Sequence, residues 1–122
     1  MVEVSSSASE SFAAITVRAE NGPGTCIIDC EGTAGEPHRG FLFVTGEGPS
    51  AVLEGVTITN GYGTPGGPVD IGGALYCDGA SPSIRNCIFM GNQALTGGAV
   101  CCIEGAAPEF LNCVFEDNRS GA

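Results

Sequence analysis

The stretch GGALYC, residues 72–77, is repeated almost unchanged as GGAVCC, residues 97–102. The segment that follows, SPSIRNCIFMGN at residues 81–92, returns as APEFLNCVFEDN at residues 107–118. The offset is 25 residues for the first pair (72 to 97) and 26 for the second (82 to 108), so one extra residue falls after Cys102. A period in the twenties with an insertion confined to a turn is typical of a solenoid, whose coils stack on one another.

The composition fits short strands joined by tight turns. The 122 residues include 20 glycines and 7 prolines, and short apolar runs lie between them. We therefore predict an all-β chain that folds as a parallel β-helix, or β-solenoid, of about four to five coils.

The same pattern divides one solenoid domain, residues 1–122, into four parts. Residues 1–13 are polar and form at most a weak N-terminal cap or extension, and residues 14–60 hold degenerate coils. A longer connection at residues 61–71 is expected to protrude as a loop, and residues 72–122 hold the two clear repeats.

Identical residues recur at repeat-equivalent positions, and stacking about 4.8 Å apart would turn them into ladders along the axis. Strand alternation places the cysteine and phenylalanine pairs inside, and asparagine suits bends with left-handed backbone. The predicted ladder pairs are Cys77 with Cys102, Cys87 with Cys113, Phe89 with Phe115, Asn86 with Asn112, and Asn92 with Asn118.

Seven cysteines in so short a chain usually indicate an oxidising compartment and disulfides, but four of them fall into the repeat ladders, which qualifies that inference. We expect an extracellular or cell-surface location. Inward thiols that fill the core as small hydrophobes are the first interpretation for Cys87 and Cys113. Two disulfides remain open alternatives: Cys77–Cys102 and Cys26–Cys30. The odd number leaves at least one thiol free or bonded to another chain, and Cys101, which should point outward, is the best candidate.

The charge and hydropathy exclude two classes of partner. The formal net charge is −10 and the chain has no lysine, so a nucleic-acid backbone would be repelled. No apolar run has the length of a membrane-spanning helix, and the N-terminus lacks the basic start and apolar core of a signal peptide.

The repeat motifs resemble those of a known group of surface proteins. GGAL (72–75) and GGAV (97–100), together with FMGN (89–92) and FEDN (115–118), look like the GGA[ILV] and FxxN repeats of polymorphic outer-membrane proteins. More broadly, the chain from residue 14 onward is similar to right-handed parallel β-helix proteins of the pectin-lyase-like superfamily. The resemblance implies a right-handed solenoid, and the superfamily includes polysaccharide lyases and hydrolases, adhesins and large surface proteins.

The residues of the enzymes in that superfamily are not found here. Family polygalacturonases carry Asn-Thr-Asp, Asp-Asp, Gly-His-Gly and Arg-x-Lys segments, and none of these occurs in this sequence. Arg85 aligns with Leu111 and is expected to have no carboxylate stacked on it, and the lone His38 lies in a loop by composition. We predict no enzymatic activity and no cofactor or metal site; calcium, which the related lyases bind, is the one ion that the acidic composition leaves open.

The expected role is structural. The chain stops at residues 118–122, where the repeat would place another GGA strand, so its last coil is expected to be open. Either this is a segment of a longer surface protein or the next copy completes the open end, giving a head-to-tail filament. We favour the filament subunit; the alternative is an adhesion or glycan-binding module that uses a loop with Gly61, Tyr62 and Asp70, and a polysaccharide lyase or hydrolase is third.

Overall fold

The fold is known from a computed structural model that describes residues 2–4, 15–63 and 72–121, with side chains described from residue 15 onward. Its regular elements are all short β-strands, with no helix among the described residues. They are β1 (Val2–Val4), β2 (Thr16–Arg18), β3 (Ile27–Asp29), β4 (Phe41–Phe43), β5 (Val52–Glu54), β6 (Thr57–Thr59), β7 (Leu75–Asp78), β8 (Ser83–Arg85), β9 (Ile88–Met90), β10 (Gln93–Ala94), β11 (Val100–Ile103), β12 (Glu109–Leu111), β13 (Val114–Glu116) and β14 (Arg119–Ser120).

The strands form parallel sheets that the chain visits in rotation. Sheet A has the order β1-β4-β7-β11, sheet B β2-β5-β8-β12, and sheet C β3-β6-β9-β13, while β10 and β14 form a short fourth sheet. Each sheet gains its next strand only after the chain has passed through the other two. This confirms the all-β, parallel prediction and is compatible with a β-solenoid.

One passage through the sheets is called a coil below. The first coil is β1–β3, the second β4–β6, the third β7–β10 and the last β11–β14. The offsets seen in the sequence are confirmed by the register: Val100 pairs with Leu75, and Glu109 pairs with Ser83. The extra residue lies at the corner after β11, where Glu104 and Gly105 both adopt positive φ, 55° and 76°. Coils of different length therefore stack without a shift in the strands.

The core lies between the three sheets and is thickest in the second and third coils. Alternating inward positions such as Leu53 and Ile58 in the second coil, and Ile84 and Phe89 in the third, are at most 1% exposed. Inward residues of the first and last coils pack against this core but are only partly covered, because each has a neighbouring coil on one side. None of the described residues belongs to a helix with the length and hydropathy needed to cross a membrane.

Candidate functional site

An aromatic cluster reaches the surface at the end face of the last coil. Phe115 lies directly on Phe89, with ring centroids 4.9 Å apart and planes 7° from parallel. Phe110 packs edge-on against both rings, at 6.3 Å from Phe89 and 5.7 Å from Phe115. Phe89 is 0% exposed whereas Phe115 is 50% exposed. The end face therefore presents part of an aromatic core to solvent.

A column of thiols runs beside the aromatic cluster. Cys113 lies next to Cys87 along the axis, because Val114 pairs with Ile88. Each thiol contacts a carbonyl of the preceding coil, Cys87 with Leu53 at 3.7 Å and Cys113 with Ile84 at 3.5 Å. Burial raises the pKa of the Cys87 thiol, which keeps it protonated and unreactive. Cys113 has the same orientation but is only partly buried.

The second predicted thiol pair also lies in register, on sheet A. Cys77 is buried, and burial followed by the neighbouring Cys102 thiol raises the pKa of Cys77. Cys102 itself is exposed because no described strand covers the last coil. Cys101, on the opposite face of the strand, lies beside Tyr76 and is half-buried. Cys102 is thus the more exposed of the two thiols, and the expectation that Cys101 forms a link to another chain stays a prediction.

No disulfide joins any of the seven cysteines, all of which lie in the described part of the chain. In the structure the two pairs left open by the sequence, Cys77–Cys102 and Cys26–Cys30, are thus thiols.

Asn92 and Asn118 form a hydrogen-bonded ladder between successive coils. Asn92 is 0% exposed, and its side-chain oxygen accepts from the Gly61 amide at 2.8 Å. Its side-chain nitrogen donates to the carbonyl of Ile58 at 3.1 Å, and Asn118 donates in the same way to Phe89 at 2.8 Å. The Asn118 oxygen in turn accepts from the Asn92 backbone at 3.0 Å. Each asparagine therefore binds the coil before it, and Asn118 is the last rung.

The other asparagine pair behaves differently. Asn86 and Asn112 occupy the corner between sheets B and C with φ of 51° and 53°, in the column where the second coil has Gly55 at 76°. Both are exposed. Within the described residues their side-chain amides make no hydrogen bond, so these asparagines provide the left-handed bend and not an amide ladder.

A groove of about 430 Å³ lies along this corner. The first coil has extra residues here, and its Pro23 carbonyl accepts from the Thr57 hydroxyl at 2.7 Å, which places the extra segment over the second coil. Beyond that segment the corner stays open, with Asn86 and Asn112 beside apolar Val114.

A charged column follows the rim of the groove, and sequence reasoning missed it. Glu54 lies between Arg18 and Arg85, in register with both. The expectation that Arg85 would have no stacked carboxylate is therefore wrong. The degenerate second coil, aligned through Leu53 and Gly55, was the signal that could have revealed Glu54.

The expected binding loop begins with residues that contact neighbouring coils. Gly61 is buried, and a Cβ at this position would overlap the carbonyl of Gly73. Tyr62 pairs with Gln93, and its amide donates to the carbonyl of His38 at 2.6 Å. Gly61 and Tyr62 thus hold the coils together. Asp70 and the rest of the expected loop, residues 64–71, lie outside the described residues.

No metal-ligand cluster is found in the part of the chain that the structure describes. No three His, Cys, Asp or Glu side chains there converge as metal ligands. The Nδ1 of His38 lies 2.9 Å from the backbone carbonyl of Cys30.

Comparisons with known proteins return no relative. No protein-family model, curated protein or solved structure matches the chain. Any function therefore has to be inferred from the geometry of the end face and of the groove.

Proposed function

We propose that this chain is a structural module: a right-handed parallel β-solenoid of about four coils, located outside the cell or on its surface, that associates head to tail through its end faces. The observation that carries the proposal is the uncovered interior of the last coil, where Phe115 is 50% exposed on top of a fully buried Phe89. A stack of in-register coils exposes a sheet edge at its end, and an added coil can cover that edge.

Two features support the solenoid geometry. Each of the three main sheets contains four strands, one from each passage of the chain, in support of about four coils. Connections between parallel strands of one sheet are right-handed in about 98% of known cases, which favours the right-handed form.

Apolar burial and backbone hydrogen bonds at the end face would both favour association. Covering the exposed half of Phe115 would contribute about 1 kcal/mol of apolar burial. The backbone also offers hydrogen bonds: in the third coil the amides of Asn86 and Gly91 donate to Leu111 and Glu116 of the last coil, at 2.9 and 3.1 Å. A coil added to the last one would supply the same carbonyls to the equivalent amides, as an added strand does in β-augmentation.

The charge and the repeat motifs support an external role. The net charge of −10 opposes lateral clumping of filaments while leaving the apolar end faces free to meet. The external location rests on the resemblance of the GGA[ILV] and FxxN repeats to those of surface proteins. We propose no catalytic role.

A charge placed on the end face tests the proposal. Cys102 is exposed in the single chain, so Cys102→Glu should fold, yet association would bury the new carboxylate without a partner. Light scattering and electron microscopy in reductant should show concentration-dependent filaments for the unsubstituted chain and for Cys102→Ser, but not for Cys102→Glu. Monomers at every concentration, or filaments of Cys102→Glu as abundant as those of Cys102→Ser, would refute head-to-tail association.

A second candidate is an adhesion module that binds a glycan in the corner groove. The free side-chain amides of Asn86 and Asn112 favour it, because they follow each other along the groove beside an apolar wall. A glycan panel should then give binding that weakens at least tenfold when both are replaced by glycine, which keeps the left-handed corner. Replacement of the inward Asn118 by alanine is the control and should leave binding unchanged.

A further inference from the structure

We infer that the partner of the end face is a second copy of this chain whose first coil continues the register of the last one, and that this register brings Cys26 of the incoming copy onto Cys113, where an oxidant can join them. The inference rests on the proposed head-to-tail association and identifies the contact that it makes.

The backbone of sheet C determines how an incoming first coil would sit. Between successive coils one amide donates across this sheet at the same position: Thr57 to Cys26 at 2.9 Å, Ile88 to Val56 at 3.0 Å, and Val114 to Cys87 at 3.0 Å. The next amide in this series is that of Ile27, which faces away from β6 because a parallel ladder alternates its bonding direction. Ile27 of the incoming copy would therefore donate to the carbonyl of Cys113.

Side chains match in the same register. Ile28 lies in the column of Ile58 and Phe89, so an incoming Ile28 would cover Phe115. On the outside, an incoming Ile27, 61% exposed, would lie on Val114, 50% exposed. Both junction contacts place apolar on apolar; within the chain the inner column does the same, whereas the outer column has Thr57 between Ile27 and Ile88.

Sheet B gives the same answer independently. Val17 lies in the column of Leu53 and Ile84, which ends at Phe110. An incoming Val17 would close the edge of the aromatic cluster that Phe110 leaves open. The same register therefore matches apolar side chains in both sheets. A chemically unrelated partner would not be expected to match both sheets at once.

The register places two thiols in contact. Cys26 precedes Ile27, and Cys113 precedes Val114, so they fall in one column across the junction. Both are free and only partly buried. Neighbouring strands lie about 4.8 Å apart, within the Cα separation of roughly 4.4–6.8 Å that a disulfide accepts.

The chemistry needs an external oxidant, for which we name a small disulfide such as oxidised glutathione. The thiolate of one cysteine attacks the small disulfide, breaks its S–S bond and releases one glutathione thiol. The second cysteine then displaces the other glutathione and forms the Cys26–Cys113 bond. Two protein thiols are oxidised and one small disulfide is reduced to two thiols, so electrons and protons balance.

The test uses the whole chain with Cys101→Ala and Cys102→Ala, which removes the two thiols of β11. Assembly is measured first in reductant by light scattering; oxidised glutathione is then added and the products are separated without reductant. We expect a ladder of covalent oligomers from this chain and monomers when Cys26→Ala or Cys113→Ala is added. Mixing those two variants should give dimers only, because each supplies one half of a single junction, and mass spectrometry should identify the Cys26–Cys113 peptide.

The outcomes separate this inference from the proposal beneath it. Assembly in reductant without a Cys26–Cys113 bond after oxidation overturns the register and leaves head-to-tail association standing. Covalent dimers from either single variant alone indicate a symmetric contact and also overturn it. No assembly in reductant and no cross-link overturns both. Circular dichroism of each variant shows whether it retains the β-fold of the parent.

Discussion

The third and last coils have nearly the same sequence but different environments. Phe89 and Phe115 are the same residue in the same column, yet one is 0% and the other 50% exposed. Cys77 and Cys102 differ in the same sense, one buried and the other exposed. In a solenoid the burial of a position is thus decided by the coil placed on top of it. Repeated residues should therefore contribute unequally to stability.

The largest difference is expected for the phenylalanines. Phe89→Ala should lower the free energy of unfolding by about 4 kcal/mol, since it leaves a cavity among buried residues. Phe115→Ala should cost about 1–2 kcal/mol, because half of the ring is already in water. Urea unfolding at concentrations below those of assembly measures both, and equal losses would contradict the asymmetry between the coils.

The asparagine ladder should show the next largest contrast. Asn92→Ala leaves the buried Gly61 amide and the Ile58 carbonyl without their side-chain partners, at a cost of about 3 kcal/mol. Asn118→Ala should cost about 1 kcal/mol, because Asn118 is only partly buried. Melting temperatures of the two variants, measured in reductant, test this difference. A loss for Asn118→Ala as large as that for Asn92→Ala would mean that the end face is covered in solution.

Thiol ionisation should separate Cys77 from Cys102. Burial raises the pKa of Cys77 above its ordinary value of 9.0. The unfolded chain therefore loses this proton before the folded one does, so stability is complete below pH 9 and falls above it, by up to about 1.4 kcal/mol per pH unit for this group. Melting temperatures from pH 7 to 10.5 should fall less steeply for Cys77→Ala than for Cys102→Ala. Parallel pH profiles for the two variants would count against the burial of Cys77.

The smallest effect concerns a mismatch at the proposed junction. In that register Asp29 of the incoming copy would lie on Glu116, and like charges facing each other across strands are destabilising. Glu116→Gln should therefore lower the critical concentration for assembly by about two- to fivefold. Glu109→Gln changes the net charge equally but would face the neutral Thr16, so its critical concentration should stay near that of the parent. The same shift for both variants would point to net charge alone.

The sequence predicted the columns of the two clear repeats because each residue there has a visible equivalent. Cys77 with Cys102 and Phe89 with Phe115 could be aligned by eye, and the register places them together. Position within the stack could not be read in the same way. Nothing local to Cys101 and Cys102 indicates that the outward thiol would be packed beside Tyr76 and the inward one left open.

In the degenerate coils the columns of stacked residues could not be recognised from the sequence. In the first coil an extra segment follows Ala19, so Arg18 has no obvious alignment with Glu54 and Arg85. Gly61 and Tyr62 were assigned to a loop because their neighbours 63–68 are rich in glycine and proline. Their ladder contacts with Asn92 and Gln93 depend on residues distant in the sequence.

The uniform stacking of parallel strands has a consequence for how an assembly of this protein would look to other methods. Every strand contributes the same spacing, about 4.8 Å, along the axis of the stack. Aligned fibres of the fully native chain would give the 4.7–4.8 Å reflection by which amyloid is recognised. Diffraction at that spacing would therefore not distinguish a working filament from a misfolded deposit.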